Sequence, residues 1–136
     1  MKLEIQGENE CFLGTIAMLK NLSIKEVREK ALELVSGKDW MITESRTTED
    51  FETVRKFFNL PALYIGVTPT STIETLDLSG KGSVYVGWIE GRAHIMAFEK
   101  GFIYDPNGWI ETWEEWKEKS FARYGLTIES VIVTKI

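Results

Sequence analysis

The sequence predicts an α+β domain, on two observations. Its first half carries apolar stripes at helix period with capping signals, and its second half carries short strand-like runs separated by tight polar turns. Elements segregated in this order call for N-terminal helices packed against a C-terminal antiparallel sheet, because the short breaks leave no room for the crossovers a parallel sheet needs. With 136 residues, 43% of them hydrophobic and 27% charged, a single domain over 1–136 can bury a core without staples.

Phe12 to Leu22 reads as a helix buried on more than one side, with Asn9 or Glu10 at its start. Ser23 with Glu26 has the spacing of a capping box and opens a second helix from Ile24 to about Val35, stopped by Ser36-Gly37. Thr48 to Phe58 is a third, with acidic residues at its front and Arg55 and Lys56 near its back, the order that suits the helix dipole. Ala62 to Val67 reads as a strand, Pro69 to Leu76 as a loop, and Ser79 to Gly82 as a turn. Strands follow at Ser83 to Ile89, His94 to Phe98 and Phe102 to Tyr104, joined by turns at Glu90-Gly91 and Lys100-Gly101. Asp105-Pro106-Asn107-Gly108 ends the third with strong turn chemistry. Thr112 with Glu115 marks a helix from about Trp113 to Ser120, and Leu126 to Thr134 is a final β-rich segment.

Sixteen basic against 21 acidic residues leave a net charge of −5, so nothing draws the chain as a whole to nucleic acid or to an anionic membrane. The apolar runs are far too short for a membrane span, and Met1 to Glu10 lacks the apolar stretch of a signal peptide, so a soluble, cytoplasmic protein is expected. One Cys and one His cannot build a usual four-ligand zinc site, and no cofactor or metal is called for.

Those two residues are nevertheless placed for chemistry. Cys11 stands at the start of an apolar helix, where free amides and the helix dipole stabilise a thiolate. His94 follows a tight turn, and Asp105 closes the next strand, so a hairpin could bring the two together, with Asp105 orienting the imidazole. The Cys11 amide and the Gln6 side chain could then serve as oxyanion donors. Glu8 and Glu10 are expected to point outward. The group Glu111, Glu114 and Glu115 reads as a solvated face, and Trp109 as the tryptophan nearest a cleft.

Gln6 to Leu19 (QGENECFLGTIAML), His94 to Gly108 (HIMAFEKGFIYDPNG) and TWEEW at Thr112 to Trp116 together resemble a papain-like cysteine peptidase, closest to the bacteriocin-processing type that cuts after a double glycine. The resemblance implies a papain-like fold and thiol-dependent hydrolysis of a peptide bond. Cys11 would be the nucleophile, His94 the base, Asp105 the orienting acid and Gln6 the oxyanion residue. It also implies a peptide or protein substrate, and it leaves open a unit that acts independently, one that joins a separate membrane or protein partner, and one that is part of something larger. Phe12 stands where the family usually has Gly, and the Gln6-to-Cys11 gap is one residue short. These departures keep open a catalytically inactive peptide-binding module on the same fold, and an isopeptidase, deamidase or transamidase.

Overall fold

The computed structural model describes residues 1–7, 9–35, 46–62 and 73–136. The expected strand beyond Ala62, the stop at Ser36-Gly37 and the side chain of Glu8 lie outside them. Helices α1 (Cys11–Lys20), α2 (Ile24–Leu34) and α3 (Thr48–Phe57) come first. Strands β1 (Lys81–Trp88), β2 (Ala93–Glu99), β3 (Phe102–Asp105) and β4 (Trp109–Thr112) follow, then helix α4 (Trp113–Tyr124) and strand β5 (Ile128–Lys135). The mixed α+β order expected from the sequence is observed.

Local chemistry sets the boundaries. The Ser23 hydroxyl accepts from the Glu26 amide at the start of α2. Thr47 with Asp50, and Thr112 with Glu115, form reciprocal capping boxes that open α3 and α4. Helix α1 ends on Asn21 in the left-handed region, and α4 on Gly125 in the same conformation. Strand β1 begins at Lys81, two residues earlier than the sequence reading, and takes Gly82 out of the expected turn and into the sheet. Side-chain room explains this glycine: an added Cβ would lie 2.0 Å from the Thr134 carbonyl oxygen. Strand β4 was not expected at all, and α4 runs four residues past Ser120.

Among the described residues the strands form one antiparallel sheet in the order β4-β3-β2-β1-β5. The alternation of β2 divides two cores. Ile95 and Ala97 join Leu13, Ile16, Ala17, Val27 and Val54 beneath the helices α1–α3. Met96 and Phe98 join Val84, Val86, Val131, Trp113 and Trp116 on the opposite face, which α4 helps to cover. Both faces are therefore buried, where the sequence reading required cover for only one. Trp113 and Trp116 stack with ring centroids 5.6 Å apart within this second core. No described helix is long and apolar enough to cross a membrane.

The register of β2 positions the site. Strand β3 pairs with β2 only over Ala97–Glu99, so among the described residues no strand flanks Ala93–Met96 on that side. Helix α1 lies along this stretch instead, and the Thr15 hydroxyl donates to the Ile95 carbonyl at 3.1 Å.

Candidate functional site

A pocket of about 210 Å³ opens at the junction of α1 and the start of β2. Cys11 and Phe12 line it from α1, Arg46 and Phe51 from the approach to α3 and from α3 itself, Tyr85 from β1, and Ala93, His94 and Ile95 from β2. Its walls are largely aromatic, and the Arg46 guanidinium lies over the Phe51 ring, 5.5 Å from the centroid. Arg46, Phe51 and Tyr85 were not picked out as site residues from the sequence. Arg46 precedes α3, Phe51 lies on α3 and Tyr85 on β1, and only the folded chain gathers them beside Cys11.

His94 is 6% exposed and alternates along β2 in phase with Met96 and Phe98. Its Nε2 is 2.8 Å from Oδ1 of Asp105, which has no exposed surface. The hairpin between β2 and β3 brings these two side chains together, as the turn at Lys100-Gly101 suggested. Asp105 also accepts from the Asn107 amide at 2.9 Å, from the Trp116 indole Nε1 at 2.8 Å and from the Tyr124 hydroxyl at 2.7 Å. Four donors around one buried carboxylate hold it ionised. Burial pushes Asp105 up, but His94, by bonding and by charge, together with Trp116 and the Asn107 amide, carries it below the usual carboxylate range. For His94, burial favours the neutral ring, yet the Asp105 bond and the neighbouring Cys11 push it up to about 10. The imidazole is further enclosed by rings: Trp88 stacks on it with centroids 6.1 Å apart, and Tyr124 tilts against it at 5.5 Å.

Cys11 lines the same pocket from the first position of α1. Burial acts to raise its thiol; polar contact with His94, the charge on that ring, the Ile95 amide and the Arg46 guanidinium bring it below its ordinary value. The hydrogen bond that His94 makes at 2.8 Å is to Asp105. Gln6 is anchored elsewhere. Its backbone N–H donates to the Pro106 carbonyl at 2.7 Å, and its Nε2 donates to Asn107 Oδ1 at 2.6 Å.

Comparisons with protein-family models, with curated proteins and with solved structures found no match.

The expectation of a hydrolase acting through a Cys11-His94-Asp105 triad is therefore corrected. His94 and Asp105 form their own ion pair, Cys11 stands outside it, and the Gln6 amide expected to hold an oxyanion is engaged by Asn107. With the triad go the descriptions thiol protease, cysteine peptidase and hydrolase.

Two smaller expectations are corrected as well. Glu10 points inward: it is 1% exposed and held by Arg28 through Nε at 2.5 Å and Nη2 at 2.7 Å. Glu111 is buried beneath Arg123 and Lys119 rather than solvated. Arg123 also covers the Trp109 ring, with its guanidinium carbon 4.0 Å from the centroid.

The His94 pair predicts a definite titration. Because the folded value lies above the ordinary 6.5, the stabilisation from the charged ring is complete below that pH and disappears as pH rises through about 10. NMR of the ring carbons should find an imidazolium at neutral pH with a midpoint far above 6.5; an ordinary midpoint contradicts the buried pair.

Proposed function

We propose that the chain is a catalytically inactive peptide-binding module, in which an extended peptide docks on the open edge of β2. The observation that carries this reading is the main chain at Ala93. In an antiparallel pair, successive residues turn their N–H and C=O groups alternately toward and away from the partner strand. Trp88 N–H donates to the Arg92 carbonyl at 2.9 Å, which fixes the phase. Ala93 and Ile95, opposite Gly87 and Tyr85, therefore turn their main-chain groups away from β1. The Ile95 carbonyl is taken by Thr15, whereas Ala93 is exposed and has no strand beside it among the described residues. An edge of this kind takes a peptide backbone as an added strand, and an adjoining pocket reads one of its side chains.

The adjoining pocket is the one lined by Phe12, Phe51, Tyr85 and Arg46. About 210 Å³ suits a single side chain, and aromatic walls favour an apolar one. Phe12, which departs from the family pattern in the sequence, is one of those walls. On this reading Cys11 is a lining residue. The papain-like form of the fold belongs to the same proposal. It is supported by the helices-then-sheet order, by Cys11 opening α1, and by His94 and Asp105 at the ends of adjacent strands.

The test is a peptide selected by display on the immobilised chain, titrated against the wild type and Cys11→Ala. The expected result is affinity unchanged to within about threefold, since a lining thiol contributes little. The peptide should be recovered intact by mass spectrometry after prolonged incubation. Failure to select any peptide, or Cys11-dependent cleavage of the selected one, overturns the reading.

A further inference from the structure

The hydroxyl of Tyr124, the last residue of α4, sits where a chain of hydrogen bonds acquires its direction. Asp105 as a carboxylate can only accept, so Tyr124 Oη, 2.7 Å from Oδ2, donates to it. The hydroxyl has a single proton, so toward Asn107 Nδ2 at 2.8 Å it accepts. That choice fixes the Asn107 amide with Oδ1 turned to Gln6 Nε2 at 2.6 Å. It fixes the Gln6 amide in turn, leaving Gln6 Oε1 buried without a partner among the described residues.

We propose that Tyr124 is a positioning residue, whose hydroxyl sets the direction of a hydrogen-bond chain from the His94-Asp105 pair through Asn107 to Gln6 and so orients both ends of it. The inference goes beyond the peptide-binding reading and stands without it. The surroundings suit the role. The Tyr124 ring is wedged among Trp88, His94 and Trp116, with centroids 5.1, 5.5 and 5.9 Å away, so the hydroxyl has little freedom to turn elsewhere. Burial and the neighbouring Asp105 charge also hold the phenol protonated far above its usual range, which keeps it a donor.

Tyr124→Phe keeps the ring and removes only the hydroxyl. The groups facing His94 are Cys11 from α1, Asp105 from β3 and Tyr124 from α4; Arg123 acts on Asp105 and Tyr124 by charge. Without the Tyr124 donor, the Asp105 charge is less satisfied and holds the imidazolium more strongly. The His94 midpoint should therefore rise by about half a unit or more. The Gln6 side-chain amide signals in a ¹⁵N–¹H spectrum should shift in the same variant. A loss of thermal stability with both signatures unchanged overturns the proposal, because a packing role moves neither. Asn107→Leu cuts the chain at its outer link and covers the case in which Tyr124→Phe does not fold. It should shift the Gln6 amide signals, and unchanged signals there overturn the proposal too.

Discussion

Replacing Asp105 with alanine should cost roughly 3 to 5 kcal/mol and lower the melting temperature by roughly 10 to 17 °C. The carboxylate is fully buried and serves His94, Trp116, Tyr124 and the Asn107 amide at once. Its removal leaves an imidazole that carries charge in a low-dielectric site, together with an indole and a phenol stripped of their acceptor. The ring then gives up its proton, so the high-pH loss of stability attached to His94 should vanish in the variant. Asp105→Asn retains the shape and one of the two acceptor oxygens but not the charge. It should lose less stability while still returning His94 toward its ordinary value. The acid side has the opposite sign: because the folded Asp105 lies below 3.8, its contribution is present above that pH and is lost as pH falls through the folded value. Differential scanning calorimetry across pH reads all three effects, and an Asp105→Ala protein that melts with the wild type refutes them.

Glu10→Ala should be the next most damaging change, at roughly 2 to 4 kcal/mol. Glu10 caps nothing with its side chain at the start of α1; it reaches back to the Gly7 amide at 2.9 Å and across to Arg28 on α2. The forked bond to Arg28 ties the segment that precedes Cys11 to the second helix, with the Glu10 carboxylate buried. Arg28 is 35% exposed and can rehydrate when its partner is lost, which holds the cost below that of Asp105. Glu10→Gln preserves an acceptor for Gly7 and should recover part of the loss. Urea denaturation of Glu10→Ala, Arg28→Met and the double variant should give a coupling energy of about 1 to 3 kcal/mol. Strictly additive losses would mean that the pair is not an interaction at all.

What was legible in the sequence was what local chemistry decides. Ser23 and Thr112 announced α2 and α4 because a cap lies within three residues of its partner amide. The hairpin joining β2 and β3 was legible because its turn residues lie in the chain between them. What was illegible depended on distant partners. Nothing near Glu10 reveals Arg28, and nothing near Glu111 reveals Arg123, so both carboxylates read as solvated. Strand β4 was missed for a different reason: at four residues it is too short to stand out as a run, although it pairs with Phe102–Asp105 across the adjacent turn. The candidate site divided in the same way. His94 and Asp105 are joined by local topology, whereas Arg46, Phe51 and Tyr85 reach the pocket through tertiary packing. The direction of the Gln6 amide is set by a phenol 118 positions away in numbering, Gln6 against Tyr124, which no local pattern encodes.

The most direct measurement is the affinity of the selected peptide for Ala93→Pro. Proline at the first residue of β2 removes the outward N–H and none of the bonds to β1, so the sheet should fold as before. Loss of that one main-chain bond, with the ring standing in the peptide's path, should weaken binding by about tenfold or more at an unchanged melting temperature. Equal affinity for Ala93→Pro and the wild type would place the peptide elsewhere and contradict the account.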